Sequence, residues 1–200
     1  MSIRDRAVGE RSDAARNRAL LLAAAARLVA ERGAAHVTMS EVAAAAGVGK
    51  GTVFRRFGDR NGLFLALLDD AAGAFEEAYA SGPPPLGPGA TAEERLAAFG
   101  RALIERVAAE AELGPMLGSQ LLHHRRHASP VGRAFHRHVS ALLREADAPG
   151  DHEMLAHALL AFANIETVRY LHREDGVPVA RLQATWEDLV RQLLRPAVRP

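Results

Sequence analysis

The chain contains no cysteine, so neither a disulfide framework nor a thiolate metal site can form. Its 25 basic residues include a single lysine, Lys50. Long apolar runs are missing too. The most apolar stretch, Ala19–Ala26, is stopped by Arg27 and is too short to cross a bilayer. The polar, charged N-terminus lacks the apolar core of a signal peptide. A cytoplasmic protein without a membrane partner is expected. The motifs of hydrolytic and metal chemistry are also absent: there is no nucleophile elbow, no H-E-x-x-H and no paired ligand set. No catalytic residue, metal or cofactor is therefore assigned.

What is present is unevenly distributed. The 200 residues suit one or two small domains and can bury a core. Net charge is +1, yet residues 1–60 hold eleven basic and six acidic side chains, and residues 61–200 hold fourteen and eighteen. The N-terminal part is thus basic, as an electrostatic footprint for nucleic acid requires.

The stretch Thr38–Leu68 organises the rest. Thr38 and Glu41 form a T-x-x-E capping box that opens a short helix. Val42, Ala43 and Ala46 make its inner face, and Gly47 ends it where a left-handed residue is wanted. Gly49, Lys50, Gly51 and Thr52 open a second short helix, with Val53 and Phe57 inward. Two short helices joined by a turn containing Gly form a helix-turn-helix, whose second helix enters the DNA major groove.

These residues resemble the N-terminal pattern of the TetR family of bacterial transcriptional regulators. That pattern is an apolar helix ending E-x-G, then T-x-x-x-I/V-A-x-x-A-G-V-x-x-G-T-x-Y/F-x-x-F-x-x-K/R-x-x-L. Here it is carried by Glu31–Gly33, Thr38, Val42, Ala43, Ala46, Gly47, Val48, Gly51, Thr52, Phe54, Phe57, Arg60 and Leu63, about a third of the chain. The resemblance implies an all-α protein. Residues 13–60 would be a three-helix DNA-binding domain, residues 1–12 a flexible basic arm, and residues 61–200 a helical effector-binding and dimerisation domain. It also implies DNA contacts at Thr38, Lys50, Gly51, Thr52, Phe54, Arg55, Arg56 and Arg60. Lys50 and Arg56 have the chemistry to donate to guanine or phosphate. Phe54 stands where the family often has Tyr, so without a hydroxyl it either makes an apolar contact or packs on a neighbouring helix.

The remainder reads as helices. Asp13–Arg32 carries one apolar stripe, Leu21, Ala24, Ala25, Leu28 and Val29, and Gly33 ends it. Asp59 caps a long helix running to about residue 80, with Leu63, Phe64, Leu67, Leu68, Ala71, Phe75 and Tyr79 along it. Ser81–Thr91, rich in Pro and Gly, is a connection. Thr91 and Glu94 form a second capping box, and a helix follows to about Glu112. Met116–His124 reads as a short helix, and Ser129-Pro130 opens one running to about Ala146. Asp151–Glu174 reads as one long helix, apolar on more than one face. His157 and Asn164 on it either bond within the core or line a cavity. A last helix runs from Pro178 to Arg195. In His123–His127, the pair His123 and His127 has the i, i+4 spacing of metal ligands, and equally that of a solvated helix end.

The broad apolar faces near the C-terminus predict a homodimer through Leu159, Leu182, Trp186, Leu189 and Leu193. Two recognition helices related by a two-fold axis would read a palindromic operator in double-stranded DNA. Phe99, Leu103, Met116, Leu117, Phe135 and Phe162 are candidate walls for a mostly apolar small-molecule effector. The function expected is a transcriptional regulator, a repressor by resemblance. An architectural DNA-binding dimer without effector and a helical, His-dependent metalloenzyme are the competing readings.

Overall fold

The computed structural model describes residues 3–111 and 129–195, the side chains of the first helix from residue 15 onward. Among these residues the chain is all-α, without a β-strand. Nine α-helices are described: α1 (Ile3–Arg32), α2 (Met39–Ala45), α3 (Lys50–Phe57), α4 (Arg60–Ser81), α5 (Ala92–Ala111), α6 (Pro130–Glu145), α7 (His152–Phe162), α8 (Ile165–Arg169) and α9 (Val179–Leu193). They fall into two compact units, which divide within α4 between Ala71 and Ala72 rather than at the start of that helix.

The first unit follows from local signals. Leu21, Leu22, Ala24, Ala25 and Leu28 are buried along α1, one side of a helical period. Gly33 ends the helix at φ 76°, and Ala34–His36 makes a single 3₁₀ turn. The helix begins at Ile3, ten residues before the expected start at Asp13. Residues 3–12 hold no proline, and their arginines, alanine and glutamate are good helix formers with Gly9 the one weak position. Thr38 caps α2 through both halves of its capping box. Gly47 leaves the helix at φ 67°. Val42, Val53, Leu63 and Phe64 are completely buried in this unit, and Leu68 nearly so. Each such side chain contributes roughly 1.5–3 kcal/mol relative to exposure.

The second unit is built on α5. Its buried stripe is Leu96, Phe99, Leu103, Ile104 and Val107, and α6, α8 and α9 pack against it. Trp186 of α9 is fully buried, and its indole Nε1 donates to the Leu96 carbonyl at 2.9 Å. Gly100 makes room for that ring: a Cβ there would fall 1.8 Å from Trp186 Cε2. Ser129 caps α6 by accepting from the Gly132 N–H at 3.0 Å, with Pro130 in the first turn.

Two expectations are corrected. The helix expected over Asp151–Glu174 is broken after Phe162. Asn164 turns its side chain on the backbone, accepting from the Thr167 N–H at 2.8 Å and donating to the Ala161 carbonyl at 2.5 Å. Such a residue competes with helix continuation and starts a new helix instead. After α8 the chain widens into a π turn, Tyr170–Glu174. Second, Leu159, Leu182 and Trp186 are at most 3% exposed in the single chain. They belong to its own core, so they are not free to face a second copy. Leu189 and Leu193 are half-buried.

Candidate nucleic-acid interface

Helix α3 is held from beneath by Val53, fully buried, and by the half-buried Phe57. Gly58 closes it at φ 75°, with its N–H donating to the Phe54 carbonyl at 2.8 Å. The opposite face carries Lys50, Gly51, Phe54, Arg55 and Arg56, all exposed, with Thr52 half-buried beside them. Among the described residues, no carboxylate lies within ion-pair distance of Lys50, Arg55 or Arg56. A helix with three unneutralised cations and an inward apolar side presents positive charge to a partner.

The structure separates the two readings of Phe54. Its ring is 41% exposed, and Lys50 Nζ lies over it, 5.6 Å from the centroid. The contact is between neighbours on one helix turn, and the ring is left on the outer face. Gly51 meets no internal demand. A Cβ there would find no atom within 4 Å, and its φ is not left-handed. Any need for glycine at this position comes from outside the chain, where a missing Cβ permits close backbone approach.

Two expected contact residues have internal tasks. Thr38 Oγ1 donates to Glu41 Oε2 at 2.8 Å and accepts from the Glu41 N–H at 3.2 Å. The hydroxyl's bond to the carboxylate, with that from the Thr38 N–H to the same oxygen at 2.9 Å and the nearby charge of Arg32, holds the Glu41 carboxyl below the usual range. Arg60 Nη2 donates to the carbonyls of Ala34 and Ala35 at 2.5 and 2.8 Å, and the guanidinium lies 5.3 Å from the Phe64 centroid. It ties the start of α4 to the turn after α1. Its position in the motif signals a phosphate contact; its engagement with two carbonyls was not legible there.

The second unit contains a partly open apolar space of about 60 Å³, lined chiefly by Leu103, Val107, Phe135, Leu160 and Ile165. Of the six residues expected as effector-pocket walls, Leu103 and Phe135 line this space. Phe99 lies instead in an aromatic cluster with Phe75, Tyr79 and Phe135, at centroid distances of 5.2, 5.3 and 5.7 Å. Phe162 is half-buried away from this lining. Met116, Leu117 and His123–His127 lie outside the described residues. Asn164 serves both readings offered for it, capping α8 and bordering the space, whereas His157 is exposed. Among the described residues no three His, Asp or Glu side chains are grouped to hold a metal, and no helix is long and apolar enough to cross a membrane.

A residue that the sequence reading passed over is Arg106, whose guanidinium lies beside the contacting rings of Phe75 and Phe135, 5.4 and 5.6 Å from their centroids. The available signal was a charged residue three places after Leu103 and next to Val107, at the edge of the buried stripe.

Residues 21–67 match the family model of bacterial regulatory proteins, tetR family. No curated protein matches the chain in sequence. Solved structures share its fold. The fatty acid degradation regulator FadR from Bacillus halodurans is 18% identical, with a TM-score of 0.61 over 92% of this chain and 97% of that one. FadR from Bacillus subtilis, in complex with stearoyl-CoA, is 19% identical, with a TM-score of 0.58 over 88% and 96%. The repressor FadR from Thermus thermophilus, in complex with lauroyl-CoA, is 22% identical, with a TM-score of 0.57 over 92% and 98%. Over residues 21–67, its helix-turn-helix segment, the chain is thus similar to the tetR family of bacterial regulatory proteins, and it shares its fold with solved regulators.

Proposed function

We propose that the protein is a homodimeric repressor that grips a palindromic operator with α3 of each protomer in the major groove, and that a mostly apolar effector held in the second unit lowers operator affinity. The observation that carries this reading is the outer face of α3, where Lys50, Phe54, Arg55 and Arg56 are exposed on a helix anchored by Val53. Lys50 and Arg56 donate to guanine edges or phosphate, Thr52 to phosphate, and Gly51 lets the backbone come close. Helices α1–α3 with the start of α4 read DNA, and the rest of the chain dimerises and binds the effector.

The dimerising surface is reassigned to the outer stripe of α7, where Met154 is 62% exposed and Ala158 and Ala161 follow at helical spacing, with Leu189 and Leu193 of α9. Release works by population shift: an effector lowers operator affinity only if it prefers the arrangement that binds DNA poorly. Helix α4 is the element that begins in the first unit and ends in the second. The acyl-CoA esters held by two solved neighbours do not carry over directly. A space of about 60 Å³ admits a handful of non-hydrogen atoms, and a long acyl chain would require it to widen.

The test is fluorescence anisotropy with an operator duplex at near-physiological salt. Lys50→Ala and Arg56→Ala should each weaken binding by about 1–3 kcal/mol. Unchanged affinity and sequence preference in both variants would remove α3 as the reading helix.

A further inference from the structure

Phe54 is a large apolar side chain left exposed on a cationic helix. It is 41% exposed, while Val53 and Phe57 of the same helix face inward. Its neighbours narrow what can cover it. Lys50 Nζ lies 5.6 Å from the ring centroid. Gly51, three residues before Phe54, is its neighbour on the helix surface. A Cβ at Gly51 would meet no atom within 4 Å. Beside the ring the surface is therefore bare backbone, open to the outside. An apolar ring, an open gap and an ammonium donor lie together on α3.

The occupant of this patch has to be anionic overall. Among the described residues no carboxylate lies within ion-pair distance of Lys50, Arg55 or Arg56, so a second copy of the same helix would be repelled. The occupant also has to offer a small apolar group, because a phenyl ring has no donor for a phosphate. In the major groove the apolar group is the thymine 5-methyl, and the acceptor O4 stands beside it on the same base edge. A ring beside an ammonium is the complement of a methyl beside an acceptor. We propose that Phe54 selects thymine: in each half-site a thymine 5-methyl packs on the Phe54 ring over Gly51, and Lys50 Nζ donates to O4 of that base or to the next base. This deepens the reading of α3 as the helix in the major groove, and rests on it. The competing contact is a deoxyribose packed on the ring, which carries no base preference.

Uracil is thymine without the methyl group and keeps the same pairing and the same O4, so it isolates the contact. The probe is an operator duplex recovered from a randomised DNA pool, with each thymine of the half-site replaced in turn by uracil, symmetrically in both half-sites. Fluorescence anisotropy with the full wild-type chain at near-physiological salt should show one position where the change weakens binding about fifteenfold, about fourfold for each methyl lost. Phe54→Ala should bind the thymine and uracil duplexes of that position equally, and Phe54→Leu should keep part of the difference. The wild-type comparison stands even if a variant fails to fold. Half-sites without thymine, wild-type binding indifferent to uracil at every position, or a uracil penalty undiminished in Phe54→Ala would each overturn the proposal. Weaker binding of Phe54→Ala to every duplex, with no uracil penalty in the wild type, would assign the ring to deoxyribose instead. Tight operator binding that ignores uracil sinks the thymine contact alone, whereas a wild-type chain that retains no duplex sinks the regulator reading and this inference with it.

Discussion

Glycine shows how far a residue's surroundings decide its effect. In an exposed helix interior, Gly→Ala is stabilising by about 0.5–1 kcal/mol. Gly73 in α4 meets that condition, since a Cβ there would touch nothing. Gly100 in α5 does not, because a Cβ would collide with the Trp186 ring. Urea denaturation should therefore show Gly73→Ala gaining about that amount and Gly100→Ala losing about 1–3 kcal/mol through overpacking. Equal effects at both sites would contradict the packing described. His138 gives a pH signature. Its ring stacks 4.3 Å from that of Tyr79 and 5.1 Å from that of Phe99, and Nε2 is buried without a partner among the described residues. Burial first, and Arg95 second, push its pKa down to about 4. The unfolded imidazole titrates near 6.5, so between about pH 6.5 and 4 the unfolded chain holds a proton that the folded one does not. The stability tied to the neutral ring is fully present above about pH 6.5 and is lost as the pH falls towards 4. Discounted for partial exposure, the effect is on the order of 1 kcal/mol by pH 5. His138→Phe keeps the stack and removes the proton, so its urea midpoint should fall less between pH 7 and pH 5. An identical fall would show that His138 does not titrate this way.

At the scale of elements, what was legible is what is encoded locally. Both T-x-x-E boxes, at Thr38 and Thr91, form with their reciprocal bonds, and Ser129-Pro130 opens α6 where the sequence placed it. A cap is a contact between residues three apart, so four residues suffice to read it. The break at Asn164 was hidden because the apolar periodicity runs on through Ile165 and Val168, and a lone Asn in a helix has two outcomes. The same limit explains α1: a polar, arginine-rich segment without an apolar stripe reads as a tail, yet it contains nothing that stops a helix. Because the Thr38 cap satisfies donors that α2 cannot satisfy itself, Thr38→Ala should cost about 1 kcal/mol of stability by urea denaturation. An unchanged midpoint would mean that α2 does not depend on its box.

For the whole molecule, the first unit was more legible than the second. Fixed spacings from Thr38 to Leu63 specify a turn, two caps and an inner face, all within one short segment. The second unit is specified by contacts between residues far apart in the chain. Trp186 looked like an interface aromatic because it lies on an apolar stripe, and only the fold shows that stripe turned onto α5 and Gly100. Arg106 was passed over for the same reason: a charge at the edge of a stripe gives no sign, in sequence, of two phenylalanine rings lying beside it. Among the described residues the outside carries a cationic face on α3 and, on α7, the exposed Met154, Ala158 and Ala161, the two surfaces that the proposed two-fold DNA-binding dimer would use. The most direct test of that claim is selection of duplexes from a randomised DNA pool by the full chain at near-physiological salt, with sequencing of those retained. The account predicts an enriched palindrome with half-sites about one helical turn, roughly 34–36 Å, apart. Retention without enrichment, or no retention, would contradict it.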